Sequence, residues 1–353
     1  MKKNSITIGI DLGDRQSRYC VLDQDGMREG VVPTSRAGLL RSFGRWKRCR
    51  IALEVGGHSR WVSRLLQDLG HEVYVANARQ LKLITQSTRK DDRLDAQTLA
   101  RLARVDPALL RPIQHRSEQA QLDLLAIRVR AQLVETRTGL VNSARGLVKS
   151  FGYRLASCDA DQMGVGRAGE LPEILQRRLR PLLEHIEELT RQIQESDGEI
   201  EQIARNYPHI ELLRQVSGVG ILIALTFVLT LEQAARFSKS REVGAYLGLR
   251  PKRRDSGARQ AQLGISKEGD PYLRTLLVQG AHGVLSRRGP DTDLKRWGMK
   301  LCERGGRNAK KRAIVAVARK LAVLLHRLWA TAEVYEPLRQ ARAIQPACTQ
   351  TAA

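Results

Sequence analysis

The stretch SITIGIDLGDRQSRYCVLDQDGMREGVVP, residues 5–33, decides the fold. Residues 5–11 form a short apolar run, which predicts a buried strand, and residues 17–23 alternate between apolar and polar side chains, which predicts a second strand. An Asp25-Gly26 pair before the REGVVP segment is typical of a hairpin turn. The sequence therefore predicts a meander of three antiparallel strands at the start of the chain.

Helix and strand patterns alternate after this meander. We predict a helix near 35–47, a strand over 50–54, a helix over 58–70 that ends at Gly70, a strand over 72–77 and a helix over roughly 92–105. Three antiparallel strands followed by alternating helices and strands predict an α/β domain with an RNase H-like fold.

The middle of the chain, about residues 117–205, carries no strand pattern. Its second half has a heptad seam in which positions recur at intervals of four and three, namely Leu175, Leu179, Leu182, Ile186, Leu189, Ile193, Ser196, Ile200 and Ile203. A looser repeat occupies the first half, at Leu122, Leu125, Val129, Leu133, Leu140 and Leu147. Glycine and aspartate cluster near 152–170, so the two helices form either an antiparallel hairpin or an intermolecular coiled coil. Pro181 predicts that the second helix begins late or bends.

The remainder is predicted to be mostly helical. The segment LLRQVSGVGILIALTFVL, residues 212–229, places a Ser-Gly-Val-Gly turn between two apolar helices. Such a helix-hairpin-helix turn can bind DNA phosphates, and a tight turn without a ligand fits equally well. Helices are predicted over 235–249, 271–288 and 307–330, the last one basic and amphipathic, around a Gly-, Arg- and Lys-rich segment at 250–270. We divide the chain into 1–110, 111–206, 207–335 and a disordered tail at 336–353.

Composition favours a polyanionic partner. The 353 residues include 60 Lys and Arg against 37 Asp and Glu, a formal charge of +23, so nucleic acid is the simplest partner, with ribosomal or membrane-surface binding as the alternative. Aromatic residues make up only 4% of the chain, so base stacking is not expected to be the main binding mode. The five cysteines include no CxxC pair, and no apolar run is long enough to span a bilayer or to form a signal peptide. We therefore expect a cytoplasmic protein.

Four carboxylates are candidates for a metal site. Asp11 and Glu54 each end a predicted strand, and Asp92 and Asp95 lie three apart on one face of the helix over 92–105. Strand ends and the adjoining helix converge in this architecture, so the four side chains can meet in one cleft. Such a cluster repels itself unless divalent cations occupy it, and two Mg²⁺ (or Mn²⁺) ions would activate a nucleophile at a phosphodiester.

Each of these carboxylates also has a plainer interpretation. Acidic residues at a helix start favour the helix dipole, which would explain Asp92 and Asp95, and Glu54 could cap the next helix. Asp14 and Asp91 are neighbouring acids that could replace a member of the set. The segment IGIDLGDR is also similar to the first phosphate loop of actin-like kinases, but the second phosphate loop and the adenosine motif of those proteins are missing from the sequence downstream.

Several motifs in a fixed order give the sequence a specific resemblance. They are GIDLG (9–13), ALEVGG (52–57), RKDDRLDAQTLARLAR (89–104), VSGVG (216–220) and FSKSREVGAYLGLRPKRRDSGARQAQLGISKEGDPYLRTLLVQGA (237–281). With them the sequence resembles the DEDD insertion-sequence transposases of the one-hundred-and-ten family and its eleven-eleven subgroup. Members of this family have a RuvC-like domain, a coiled coil and a C-terminal transposase domain, which here would be 1–110, 111–206 and 207–335. They act as serine recombinases guided by a bridge RNA.

The resemblance implies roles for individual residues. The acidic tetrad would be Asp11, Glu54, Asp92 and Asp95, which hold metal ions, and Ser256 would be the nucleophile that forms a transient phosphoserine link. Alternatively, the DSG segment at 255–257 is only a turn, and Ser266 is the nearest rival serine, which would cap the helix that starts near Asp270 or contact phosphate with Lys267. The expected nucleic-acid-binding residues are Arg253, Arg254, Arg259, Lys267, Lys310, Lys311 and Arg312.

The resemblance also implies partners: donor and target DNA, a bridge noncoding RNA, and a homodimer that assembles into a tetramer on DNA, with an active site that could be shared between protomers. Two other functions remain open at this point. One is a RuvC-like, metal-dependent, structure-specific nuclease without serine chemistry. The other is a non-catalytic, basic coiled-coil protein that binds nucleic acid.

Overall fold

The chain is described by a computed structural model over residues 6–77, 92–256 and 259–339, with the backbone alone at 92–93, 253–256 and 259–262. It divides into two compact units, Met1–Arg116 and Ser117–Ala353. Asp91 and most of the predicted tail at 336–353 lie outside the described residues.

The first unit is built on a five-stranded sheet in the order β3-β2-β1-β4-β5. Strands β1, β2 and β3 pair antiparallel, and β4 and β5 continue the sheet parallel to β1. The strands are β1 (Thr7–Asp11), β2 (Gln16–Leu22), β3 (Met27–Pro33), β4 (Arg50–Glu54) and β5 (Glu72–Ala76), and the helices are α1 (Arg36–Phe43), α2 (Ser59–Asp68) and α3 (Asp92–Val105). All eight predicted elements are confirmed, and their order is compatible with an RNase H-like fold.

The two faces of this sheet carry side chains of different size. One face presents Ile8, Ile10, Ile51 and Leu53, which are fully buried against α1 and α2. The opposite face presents small residues, and α3 packs directly on them through its own small side chains. They include Gly9, Cys20 and Ala52 on the strands and Ala96, Ala100 and Ala103 on α3. The small residues let the helix backbone approach the sheet closely.

Gly9 gives a direct test of this close approach. A Cβ at Gly9 would meet the carbonyl oxygen of Ala96 and lie 2.5 Å from the Ala100 nitrogen. We expect Gly9→Ala to push α3 off the sheet and to lower the free energy of unfolding by about 1–3 kcal/mol, the usual cost of overpacking. Gly56→Ala is the matched control, because a Cβ at Gly56 would meet nothing within 4 Å. Equal urea midpoints for the two variants would contradict the expectation.

The second unit begins with two long helices, α4 (Glu118–Lys149) and α5 (Glu173–Arg205), that form an antiparallel hairpin within the chain. Arg130 of α4 forms an ion pair with Asp197 of α5, and Arg137 Nη1 donates a hydrogen bond to Thr190 Oγ1 at 3.2 Å. The hairpin alternative is therefore the one observed. The prediction that Pro181 delays the second helix is wrong, since α5 starts eight residues earlier and continues through it.

The two sequence repeats differ in how deeply they are buried in this hairpin. Most of the heptad seam of α5, including Leu179, Ile186 and Ile193, is buried against α4. On α4, however, the buried positions are mainly Ala120, Leu124, Ile127, Val141, Ala144 and Val148. The looser repeat lies on another side of α4, where Leu122, Leu125, Val129 and Leu147 have exposed fractions between 49% and 56%.

The rest of this unit packs around α7, which is buried along almost its whole length. Its elements are α6 (His209–Arg214), α7 (Ile221–Leu231), α8 (Arg241–Tyr246), β6 (Pro251–Ser256), β7 (Arg259–Ile265), α9 (Pro271–Val284), α10 (Asp293–Cys302) and α11 (Ala309–Thr331). The helix predicted over 235–249 is wrong in extent, because only α8 and a single 3₁₀ turn form there. The sequence patterns did not predict α10 or the β6–β7 hairpin. No helix among the described residues is long and apolar enough to cross a membrane.

Candidate active site

The carboxyl ends of β1 and β4 bring two of the predicted acids to one edge of the sheet. These strands are parallel neighbours, with Ile10 paired to Leu53, so Asp11 and Glu54 follow at the same level. Residues two apart on a strand share a face. Asp11 is two residues after Gly9 and Glu54 two after Ala52, so both lie on the face that α3 covers.

Helix α3 contributes the third acid. Asp95 lies in its first turn, next to Ala96, which abuts Gly9 of β1. Burial raises the pKa of Glu54, and the negative charge of Asp95 raises it further. The two carboxylates are therefore close enough for their charges to interact. We call the positions Asp11, Glu54 and Asp95 the acidic edge.

The fourth acid, Asp92, is the first residue of α3 and lies three residues before Asp95; its side chain is outside the described part of the chain. Among the described residues, no three His, Cys, Asp or Glu side chains come close enough to form a metal site. The complete tetrad therefore stays a prediction. The donor chemistry nevertheless fits a hard cation, because Mg²⁺ and Mn²⁺ prefer carboxylate oxygens and a cation would relieve the repulsion between Glu54 and Asp95.

The plainer interpretation of Glu54 as a helix cap is wrong. Helix α2 begins at Ser59, five residues beyond the end of β4, and its cap position is His58. The Ser59 hydroxyl accepts a hydrogen bond from the Gly56 nitrogen at 3.0 Å and so organises the intervening loop. The acids at the start of α3 are in its first turn, where they also suit the helix dipole.

His58, in the loop after β4, contacts Asp14, and sequence reasoning missed this contact. Trp61 Nε1 donates a hydrogen bond to His58 Nδ1 at 3.1 Å, which leaves the proton on Nε2, 3.3 Å from Asp14 Oδ1. Asp14 itself is exposed over 91% of its side chain, in contrast to the partly buried Glu54. The sequence offers one indication that His58 lies near a strand end: it follows Glu54 by four residues and comes directly after two glycines.

The predicted nucleophile lies at the tip of a β-hairpin in the second unit. Ser256 ends β6 and pairs with Arg259, the first residue of β7, while Arg253 and Arg254 pair with Gln262 and Ala261. We call β6 and β7 the serine hairpin. The interpretation of DSG as only a turn is too simple, because Asp255 and Ser256 belong to the strand that leads into the tip. The orientation of these side chains lies outside the described part of the structure.

One prediction about the neighbouring residues is wrong. Ser266 does not cap the following helix, because Asp270 does so by accepting a hydrogen bond from the Leu273 nitrogen at 2.9 Å. Ser266 Oγ instead accepts from the Glu268 nitrogen at 3.5 Å. Lys267 adopts the left-handed conformation, with φ of 59°, where the chain turns towards α9.

The basic helix α11 is half core, as predicted. Ile314, Val317, Leu321 and Leu325 are buried in the main core of the second unit. The predicted nucleic-acid-binding residues Lys310, Lys311 and Arg312 are exposed in its first turn.

The VSGVG turn joins α6 and α7 and rests on α9. Gly218 has a φ of 82°, and a Cβ there would lie 3.1 Å from the Val284 nitrogen and clash with the Gly280 oxygen. Close packing thus explains this glycine, and phosphate binding by the turn stays a prediction.

Comparisons with known proteins agree with this arrangement. A family model described as a transposase matches residues 8–152, and one described as the IS116/IS110/IS902 transposase family matches residues 210–296. The transposase for insertion sequence element IS1111A of Coxiella burnetii is 30% identical over 342 residues, which cover 93% of this chain and 90% of that protein. A probable family 20 transposase of Pseudomonas aeruginosa is 30% identical over 345 residues, or 95% of this chain and 99% of that protein.

A third relative is the transposase for insertion sequence element IS1328 of Yersinia enterocolitica. It is 28% identical over 291 residues, which cover 80% of this chain and 85% of that protein. The two family models together include the acidic edge and the serine hairpin within their matched residues. The chain belongs to the IS116/IS110/IS902 family of transposases.

Proposed function

We propose that this transposase cuts and rejoins DNA for the transposition of an insertion sequence, with Ser256 as nucleophile, metal ions held by Asp11, Glu54, Asp92 and Asp95, and sites chosen by a bridge RNA. The observation that carries the proposal is the acidic edge of a transposase-family member, in which Asp11 and Glu54 end neighbouring parallel strands and the charge of Asp95 on α3 acts on Glu54.

The acidic edge has the properties of a metal-dependent phosphoryl-transfer site. A bound divalent cation would supply Lewis-acid stabilisation to a phosphate oxygen. The protein's own part is to keep Asp11 and Glu54 at one level on rigid, paired strands and to hold α3 close to the sheet through Gly9. Burial and the charge of Asp95 raise the pKa of Glu54, so its carboxyl holds a proton more readily than an ordinary glutamate when no cation is present.

The serine chemistry exchanges one phosphoester bond for another, so the energy of the phosphodiester is kept in a covalent protein–DNA link. Ser256 Oγ attacks the phosphorus, an Oγ–P bond forms, and one DNA oxygen leaves as a hydroxyl after accepting a proton. A hydroxyl of the second DNA then attacks the phosphoserine, and the serine hydroxyl is released. One phosphoester replaces another at each step, so rejoining needs no external energy source. Arg253, Arg254 and Arg259 place cationic groups in the same hairpin, where they suit the phosphate.

Positive charge supports a role for both DNA and RNA as partners. A formal charge of +23 would hold polyanions beside an acidic site that otherwise repels them. A guide RNA would move sequence selection from the protein to base pairing.

The function is tested by reconstitution. Purified protein is incubated with Mg²⁺, donor DNA, target DNA and the noncoding RNA transcribed from the sequence that flanks the gene. We expect recombinant joints and a covalent protein–DNA adduct only when the RNA is present. Hydrolysed DNA ends without an adduct would identify a nuclease, and unchanged DNA with bound RNA would identify a non-catalytic binding protein.

The exposed stripe on α4 supports homodimerisation, from which a tetramer on DNA would be built. This stripe has heptad spacing, and its side chains are about half exposed, at Leu122, Leu125 and Val129. Exposure of a row of apolar side chains to water is unfavourable for a helix without a partner. We expect Leu125→Glu to convert dimers into monomers in analytical ultracentrifugation without loss of helicity. Leu109→Glu is the control, because Leu109 is similarly exposed, at 46%, outside the hairpin. A dimer that survives Leu125→Glu would place the interface elsewhere.

A further inference from the structure

The second unit contains a large cavity that the catalytic scheme does not use. Its volume is about 810 Å³, within the range of about 300–1,000 Å³ typical of ligand sites. The base of the serine hairpin, α10 and α11 line it. The walls are apolar and include Pro251, Leu263, Trp297, Leu301 and Ala316.

The rim of this cavity is strongly basic. Its cationic lining residues are Lys267, Arg304, Lys311, Arg312, Arg319 and Lys320, and among the described residues that line it there is no acidic side chain. Lys320 Nζ lies 4.3 Å from the centre of the Trp297 ring, so a cation and an aromatic side chain meet inside the cavity. Burial lowers the pKa of Lys320, although Asp293 acts in the opposite direction.

Apolar walls with a cationic rim select a ligand that is planar and apolar at one end and anionic at the other. An unstacked nucleotide has this form, because its base can enter an apolar pocket beside an aromatic side chain while its phosphates remain among Lys and Arg. A paired base in a duplex cannot enter, since both of its faces are stacked. An acidic amphipathic peptide would fit the charge, but it has no nucleobase to place beside the Trp297 ring.

The position of the cavity relates it to the strand that is cut. Leu263 lines it and lies four residues along β7 from Arg259, the partner of Ser256. At about 3.4 Å per residue this separation is roughly 14 Å. Four base steps of B-form DNA cover about the same distance. A DNA strand that passes Ser256 along the hairpin therefore reaches the cavity within a few nucleotides.

We propose that this cavity binds one unstacked base of the DNA strand that Ser256 attacks, with the basic rim holding the adjoining phosphates. The inference rests on the proposed serine chemistry for its choice of DNA, but base binding can be measured without any strand cleavage. Binding of one base in the cavity would fix which part of the strand lies at the hairpin tip.

The test compares the affinities of the full-length protein for two DNA strands of equal charge, one with bases and one without. Fluorescence anisotropy compares labelled dT12 with a strand of the same length that is abasic throughout. We expect wild type to bind dT12 about tenfold more tightly, the effect of one well-bound base. Ala316→Trp, which fills the cavity, should reduce this ratio to near one and leave the affinity for the abasic strand unchanged. Lys310→Ala is the control, because its exposed side chain should weaken both strands equally.

A second measurement uses only the wild-type protein, so it tests the proposal even if Ala316→Trp does not fold. Photocrosslinking with 5-iododeoxyuridine in the same strand should attach it to the peptide that contains Trp297. An unchanged dT12 preference in folded Ala316→Trp, or crosslinks confined to other peptides, would overturn the proposal. A preference seen with U12 RNA and not with dT12 would also overturn it, because the occupant would then be RNA. Loss of recombination with intact base preference would contradict the serine chemistry alone.

Discussion

Ser256→Ala is expected to abolish the covalent protein–DNA adduct and to lower strand exchange by about 10⁴-fold or more, as removal of a nucleophile does in other covalent enzymes. DNA and RNA binding should change by less than about twofold, because a single neutral hydroxyl contributes little beside the phosphate contacts. The adduct is measured as a denaturant-resistant band, and mass spectrometry locates the phosphate on the peptide.

Ser266→Ala is the matched control for this prediction. Ser266 follows the same hairpin and was the rival candidate from the sequence, but its hydroxyl accepts a local hydrogen bond from the Glu268 nitrogen. We expect this variant to keep the adduct and most of the recombination activity. If Ser266→Ala abolished the adduct while Ser256→Ala retained it, the nucleophile would be Ser266. If both variants cut DNA normally, the chemistry would be hydrolytic.

The first unit was predictable because its local patterns agree with its tertiary packing. Strand β1 is a short apolar run buried on both faces, and Asp25-Gly26 forms the turn that its sequence predicts. The close contact at Gly9 was not predictable, because it depends on which residues α3 brings to the sheet.

The serine hairpin was missed for a physical reason. Its sequence, PKRRDS followed by RQAQLGI, carries charged or polar residues at most positions, and only the second strand shows a short apolar alternation, at Ala261, Leu263 and Ile265. Backbone pairing between β6 and β7 forms it, and pairing leaves no signature in composition. Similarly, the looser repeat of α4 is a true heptad pattern, but periodicity alone does not state which of two apolar stripes the hairpin buries.

Asp11 and Glu54 were candidates because they end predicted strands, and Asp92 and Asp95 because they lie one helical turn apart, and both patterns are visible in a sequence. The proximity of Glu54 to Asp95 was an expectation from architecture, and the raised pKa of Glu54 supports it. The contact of His58 with Asp14 required coordinates, because 44 residues separate the two.

Glu54→Gln is expected to stabilise the metal-free protein and to remove its response to Mg²⁺. The pKa of Glu54 in the folded state lies above its ordinary value of 4.5. As the pH rises above 4.5, the carboxyl ionises in the unfolded state before it ionises in the folded state, and the folded wild type loses stability. The amide of the variant stays neutral at every pH, so the variant does not lose this stability. Thermal unfolding without metal should therefore show the variant melting higher at pH 7 and equal to wild type below about pH 4.

Divalent cations should reverse this order at neutral pH. A cation at ten times its dissociation constant stabilises the folded wild type by about 1.4 kcal/mol, which is a rise of several degrees in melting temperature. Glu54→Gln lacks one anionic ligand and should show less than half of that rise, together with a loss of strand exchange of about 10²-fold or more. Asp14→Asn is the control, because this carboxyl is exposed and lies off the acidic edge. Equal Mg²⁺ responses in wild type and Glu54→Gln would mean that the acidic edge holds no metal ion, and the repulsion between Glu54 and Asp95 would then need another explanation.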